Sequence, residues 1–246
     1  MKTIKIAHLY YDLMNLYGEA GNITALKAAF KKQGIKVTVE NIPKGGKVDF
    51  NKFDIFYIGC GTENAQEIAR KDILRYKEEI KKYIKKKTFI ATGNSYELFG
   101  ESINNLECLG IFKFKSRTVR ERIVGEQVNK TYVVKDPIVG FQNRGSINDN
   151  TENHLFEVLS GNANNNKDKF EGIAKDNFYG TYTLGPLLIR NPHLTDKIVK
   201  DMVAILLFFT VHFPSGKGLT NGKTLRKVST RYIRFLLFSI AWETEV

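Results

Sequence analysis

The sequence contains few of the residues that build disulfide frameworks or metal sites. Its 246 residues include two cysteines and four histidines, and these show no metal-site spacing. The first residues lack the uncharged apolar stretch of a signal peptide, and no apolar run reaches the ~18 residues of a membrane span. We therefore expect a cytoplasmic protein with no transmembrane segment, no metal and no cofactor.

Strands and helices alternate through the first hundred residues. The segments "TIKIAHLY", "IKVTVENI", "DIFYIG" and "TFIA" are typical of strands, and "ITALKAAFKKQG" has helical spacing and ends at Gly34. This order predicts an α/β fold, a three-layer sandwich with a mostly parallel central sheet. Ligands of such sheets bind beyond the carboxyl ends of the strands, so loops 12–22, 59–66 and 92–95 should share one rim. Later segments suggest further strands, and "HLTDKIVKDMVAILLFF" suggests a closing helix.

The pattern predicts one domain over residues 1–212 and a tail over residues 213–246. The tail has no acidic residue from Ser215 to Arg234 and then becomes apolar. A flexible end is one interpretation of this composition, and a docking or interfacial segment is the other.

Positive charge is concentrated in one segment of a chain whose net charge is +12. Residues 70–87, "RKDILRYKEEIKKYIKKK", contain nine basic and three acidic side chains. Apolar residues recur in this segment near helical spacing, which predicts a helix with a solvated lysine face. An acidic partner protein or an anionic membrane surface is the alternative. Nucleic acid is not expected as a partner, because neither an interleaving of aromatic with basic residues nor a recognition motif accompanies the charge.

The stretch "TFIATGNSYELFG" predicts a strand, a sharp turn and the start of a helix, a junction that often carries a nucleophile. Together with "LMNLYGEAGNITALK", "DIFYIGCGTENAQ", "LGIFKF", "IVGFQNRGS" and "GTYTLGPLLIRNP", it resembles the class I glutamine amidotransferases of the CobB/CobQ-like (cobyric-acid-synthase-like) branch. Within that branch the resemblance is to GatD-type glutaminase subunits of lipid II isoglutaminyl synthases. It implies a class I amidotransferase fold and a Mur-ligase-like (MurT-type) partner subunit. It also implies glutamine hydrolysis that supplies ammonia for amidation of the peptidoglycan precursor lipid II.

The resemblance also places the catalytic dyad, and both of its positions differ here. Gly93 stands at the position of the nucleophilic cysteine, and Leu184 stands at the position of the catalytic histidine. Amide hydrolysis by this route needs a thiolate and an imidazole, and losing one member of such a pair costs on the order of 10⁶-fold in turnover. The sequence therefore predicts an inactive homologue, in which restoring either residue alone leaves the enzyme inactive.

Other positions of the family site are retained in part. Arg122 matches an arginine near the glutamine entrance, although a surface arginine in a basic loop is an equally good interpretation. Glu97 stands where the family has glutamine, which would put an acid near the pocket. The resemblance implies a substrate pocket formed by Arg122, Gly61, Gln66, Asn94, Ser95, Gln142 and Asn143. Whether glutamine still binds there is left open.

Three functions remain as alternatives at this point. The first is a non-hydrolysing subunit that binds a Mur-ligase-like partner or glutamine. The second is an active glutaminase with relocated catalytic residues. Ser95 is a poor candidate for this, because "GNSYE" lacks the final glycine of a nucleophile elbow, and Cys60 reads as a small buried residue. The third is a non-functional, altered copy.

Overall fold

The computed structural model describes residues 3–212, with side chains through residue 204. The tail over residues 213–246, and with it the two interpretations of its composition, lies outside the described residues. Residues up to Lys200 form one compact unit. The domain boundary at residue 212 stays a prediction. The described helices include none with the length and hydropathy that crossing a bilayer requires.

Strands form two six-stranded sheets in the described residues. The strands are β1 Thr3–Leu9, β2 Lys36–Ile42, β3 Ile55–Ile58, β4 Thr88–Thr92, β5 Ser102–Ile103, β6 Leu106–Glu107, β7 Lys115–Lys130, β8 Ile138–Asn148, β9 Phe156–Ser160, β10 Phe170–Glu171, β11 Ile173–Lys175 and β12 Phe178–Thr181. The helices are α1 Ala20–Lys32, α2 Glu63–Ile73, α3 Lys77–Tyr83, α4 Leu187–Arg190 and α5 Pro192–His212. Short 3₁₀ segments occupy Leu16–Gly18, Leu74–Tyr76 and Gly93–Phe99.

The first sheet has the predicted parallel character. Its order is β11-β12-β4-β3-β1-β2, and every neighbouring pair except β11 with β12 is parallel. All four residues of β3 are buried, as expected for a central strand covered on both faces. Helix α1 ends where the sequence predicted, since Gly34 adopts a φ of 71° and its N–H donates to the carbonyl of Lys31.

The later strands form a second, mostly antiparallel sheet, whereas the sequence suggested only further strands. It runs in the order β10-β9-β7-β5-β6, with β8 paired to β7, and only the β5–β7 pair is parallel. A register shift between Thr118 and Ile123 interrupts the β7–β8 pairing. An isolated bridge between Phe141 and Leu184 joins β8 to the chain that follows β12. This bridge brings the second sheet against the carboxyl-end rim of the first.

The basic segment over residues 70–87 is not one helix, which corrects the sequence interpretation. It comprises the end of α2, a 3₁₀ turn at Leu74–Tyr76 and α3. Arg70 is buried, pairs with Glu67 and donates to the carbonyl of Glu107 at 2.5 Å. The lysines from position 81 onward are exposed or half-buried, so a solvated lysine face describes most of the segment but not its first residue.

Candidate functional site

The strand-to-helix junction has the backbone geometry of a nucleophile elbow. Gly93 follows β4 directly and adopts a φ of 65°, in the left-handed region that glycine enters without strain. The chain continues as a 3₁₀ segment rather than the α-helix that the pattern suggested. A non-glycine residue in this conformation would cost about 1–3 kcal/mol.

Gly93 and Leu184 face each other. An ideal Cβ built on Gly93 would lie 2.8 Å from Leu184 Cδ2. Leu184 is held in place by two backbone hydrogen bonds with Phe141, and its side chain is 1% exposed. The structure therefore brings together the two positions that the resemblance assigned to the dyad, and both carry groups that cannot titrate.

The three segments predicted as loops meet at one rim, although α1 already begins at Ala20 and α2 at Glu63. The N–H of Leu16 donates to the carbonyl of Cys60 at 2.9 Å, which joins the first loop to the second. The N–H of Gly61 donates to Asn94 Oδ1 at 3.0 Å, which joins the second loop to the elbow. Asn94 Nδ2 returns a hydrogen bond to the Gly61 carbonyl at 2.8 Å, so the pairing is reciprocal.

A cavity of about 440 Å³ opens beside this junction. Five of the seven residues predicted for the substrate pocket line it, namely Gly61, Gln66, Asn94, Arg122 and Asn143. Arg122 Nη1 donates to Glu63 at 2.6 Å, and its Nε donates to Asn143 Oδ1 at 2.8 Å. The guanidinium thus has two partners at the edge of the cavity, although the Arg122 side chain is 49% exposed.

The other two predicted pocket residues do not line the cavity. Ser95 is fully buried, and its hydroxyl lies within hydrogen-bond distance of the carbonyl oxygens of Ile58 and Thr92. Gln142 is also fully buried and donates to the carbonyl of Asn162. The Ser95 hydroxyl and the Gln142 carboxamide thus both bond to backbone carbonyls and hold neighbouring backbone in place.

Glu97 organises a buried network at the base of the cavity, which sequence reasoning anticipated only as an acid near the pocket. Its Oε1 accepts hydrogen bonds from Ser146 and Tyr182, both at 2.6 Å, and its Oε2 accepts from Gln66 at 2.7 Å. Burial raises the pKa of Glu97, and these three hydrogen bonds oppose that rise. Arg144 stacks on the Tyr182 ring at 3.9 Å and completes the network. These residues come from segments far apart in the sequence, namely α2, the 3₁₀ segment after β4, β8 and the chain after β12, so no local motif links them.

A second buried carboxylate, Glu19, lies beneath the elbow. It accepts hydrogen bonds from Tyr57 at 2.9 Å, from Thr92, and from Asn22 at 3.4 Å. Burial raises its pKa to about 7, although the hydrogen bonds act in the opposite direction. Thr92 immediately precedes Gly93, so this carboxylate supports the end of β4.

Groups that could replace the dyad chemistry are not arranged to do so. Burial raises the pKa of the Cys60 thiol to about 12, which leaves very little thiolate at neutral pH. The histidine side chains that the structure describes, His8, His154 and His193, do not line the cavity. The described part of the chain also contains no cluster of three or more metal-ligating side chains.

The parallel sheet, with a sharp turn at its carboxyl rim and a polar cavity beside that turn, has the fold of the class I glutamine amidotransferases. The fold is similar to that of a crystal structure of a glutamine amidotransferase, with a TM-score of 0.55 at 12% identity, over 81% of this chain and 98% of that one.

Sequence comparison identifies the family. Residues 5–192 match the CobB/CobQ-like glutamine amidotransferase domain, and the chain belongs to that family. It is 34% identical over 206 residues to the GatD subunit of the glutamine-hydrolyzing lipid II isoglutaminyl synthase of Staphylococcus aureus (strain N315), covering 81% of this chain and 84% of that protein. It is 32% identical over 206 residues to the GatD subunit from Streptococcus pneumoniae (strain ATCC BAA-255 / R6), covering 80% and 79%.

Proposed function

We propose that this chain is a GatD-type subunit that associates with a Mur-ligase-like (MurT-type) partner acting on lipid II, and that it does not hydrolyse glutamine. The observation that carries the proposal is the proximity of Gly93 to Leu184, since a Cβ on Gly93 would lie 2.8 Å from Leu184 Cδ2. The resemblance assigns a thiol and an imidazole to these two positions, and neither residue supplies a reactive group.

A relocated nucleophile is the competing function, and Cys60 is the residue that would serve. Its sulfur lies 2.6 Å from the position of a Cβ on Gly93, so it occupies the right region. Its raised pKa and the apolar Leu184 argue against it, because a buried thiol without a base stays protonated. We therefore interpret the Cys60 thiol as a packed core group and not as a nucleophile.

The first experiment measures ammonia release from saturating glutamine by the purified full chain, with and without the partner subunit. We expect no release above the buffer blank. Release that disappears in Cys60→Ala would establish the relocated nucleophile instead. Release that persists in Cys60→Ala would also contradict the proposal.

Association with a partner is supported by apolar side chains around the cavity mouth. Leu16, Tyr17 and Leu106 all line the cavity, and Tyr17 and Leu106 are 42% and 48% exposed. Exposed apolar groups that surround a polar opening are typical of a protein interaction site. We propose that the partner subunit covers this mouth.

Co-purification of the tagged chain with the Mur-ligase-like subunit tests the association. We expect Leu106→Asp to reduce recovery of the partner. Leu159→Asp is the matched control, because Leu159 is 55% exposed and does not line the cavity. Failure of the unaltered chain to retain the partner would favour the non-functional copy. Equal recovery with both variants would refute the placement of the interface.

The state of the two cysteines indicates the cellular compartment in which the chain works. Cys60 and Cys108 are both buried and free. Buried free thiols are typical of proteins kept in a reducing compartment, so we propose that the chain works in the cytoplasm.

A further inference from the structure

The inference concerns the interior of the elbow and rests on the proposed loss of glutaminase activity. We propose that two side chains of this chain block the site. Cys60 takes the volume that a side chain at residue 93 needs, and the Asn94 carboxamide accepts the hydrogen bond of the Gly61 N–H, which would otherwise be available to stabilise an oxyanion. Restoring the cysteine and the histidine is then insufficient for activity.

Position 93 has no room for a side chain. A Cβ there would lie 2.5 Å from Cys60 Cβ and 2.6 Å from Cys60 Sγ, closer than real Cβ atoms approach other heavy atoms. Cys60 is 2% exposed and has a short side chain, so it has little freedom to move away. Any residue larger than glycine at position 93, a cysteine included, therefore collides with Cys60.

The backbone N–H groups that would stabilise a negatively charged oxygen at the elbow come next to Gly93 and from a neighbouring loop. Acyl-transfer sites at such junctions use the N–H of the residue after the nucleophile together with an N–H from a neighbouring loop. The residue after position 93 is Asn94, and the neighbouring loop supplies Gly61. The Gly61 N–H is already bonded to Asn94 Oδ1 at 3.0 Å.

The second donor faces Cys60. The backbone N–H of Asn94 partly offsets the effect of burial on the pKa of the Cys60 thiol. The Asn94 side chain thus occupies the Gly61 N–H, and Cys60 lies beside the Asn94 N–H. A tetrahedral intermediate formed at residue 93 would have to displace both of them.

Four variants of the full chain, and a fifth with Asp at position 94, test this. The first, Gly93→Cys with Leu184→His, restores only the dyad. The second adds Cys60→Gly, the third adds Asn94→Ala to the second, and a control adds Cys108→Gly to the first. Cys108 is also a buried free cysteine, but it lies outside the cavity lining. Thermal unfolding and ammonia release are measured for each.

We expect the dyad variant to melt roughly 3–10 °C below the unaltered chain, because overpacking in a rigid core is destabilising. Cys60→Gly should recover part of that loss, and Cys108→Gly should not. Glutaminase activity should rise at least tenfold from the first variant to the second. Asn94→Ala should add on the order of 10²-fold, the typical effect of one oxyanion donor. Replacing that Ala by Asp, which keeps an acceptor for Gly61, should remove the gain.

The inference is overturned if the second variant is no more stable and no more active than the first, or if Cys108→Gly rescues as well as Cys60→Gly. A first variant that fails to fold while the second folds supports it. Failure here leaves the proposed function intact, because that proposal is tested by ammonia release from the unaltered chain. Activity of the unaltered chain would refute the proposed function whatever these variants do.

Discussion

Replacing Glu19 by glutamine should change how the stability of the protein depends on pH. Glu19 is fully buried, and its pKa is raised from 4.5 to about 7. The folded state therefore binds a proton at this carboxyl more tightly than the unfolded state does. The resulting stabilisation is fully present below pH 4.5 and is lost as pH rises toward 7.

The magnitude follows from the size of the shift. Between pH 5 and pH 8 it corresponds to about 2–3 kcal/mol of unfolding free energy. The nearest titratable neighbour, Tyr57, stays neutral in this range because burial and the Glu19 charge raise its pKa well above 10. For a chain of this size, the Tm of Glu19→Gln relative to that of the unaltered chain should rise by roughly 4–12 °C between pH 5 and pH 8.

Differential scanning calorimetry at several pH values between 5 and 8 measures this. Glu171 remains in the variant, and burial raises its pKa to about 7 as well. The dependence of Tm on pH should therefore be weaker in Glu19→Gln than in the unaltered chain, but not absent. The matched control is Glu78→Gln, which removes a carboxyl whose side chain is 79% exposed. An unchanged difference in Tm between Glu19→Gln and the unaltered chain across this range would show that Glu19 does not titrate there.

The remaining predictions concern packing and surface charge. Gly140→Ala should cost about 1–3 kcal/mol, because its Cβ would lie 2.1 Å from Thr183 Cγ2 beside the dyad position. Urea unfolding should show a much smaller effect for Gly125→Ala, whose Cβ would meet only Asn162 Nδ2 at 3.6 Å; equal losses would mean that the contact with Thr183 relaxes freely. The basic segment over residues 70–87 should not bind nucleic acid, so fluorescence anisotropy should detect no tight complex with duplex DNA or RNA at physiological salt.

The first sheet and its rim could be predicted from sequence because their signals are local. Strands such as β3 are short apolar runs buried on both faces, and Gly34 ends α1 by its backbone preference. The loops that meet at the rim follow from strand direction alone. The resemblance located Gly93 and Leu184, but their contact depends on the bridge from Phe141.

The second sheet and the filled elbow could not be predicted in the same way. β7 is mostly exposed, so it lacks the continuous apolar signal of β3, and its pairing with the next strand, β8, is interrupted by a register shift. The Asn94–Gly61 pairing spans 33 residues and depends on a side-chain rotamer. Reading Cys60 as a small buried residue was correct, but only the structure shows that it fills the place of a side chain at residue 93.

These contacts make the changes at the elbow mutually dependent. A Gly93 without a side chain leaves a void, and the void is filled by Cys60 rather than left empty. An imidazole at position 184 would then lie in a site that is 1% exposed and faces an apolar contact, where an unpaired polar group is costly. Leucine removes that cost. The cavity, by contrast, has hydrogen-bonded polar side chains: Arg122 donates to Asn143 and Glu63, and Glu97 accepts from Ser146 and Tyr182. The polar lining of the cavity is thus physically separate from the volume at the elbow that Cys60 occupies, so the two can be altered independently by mutation.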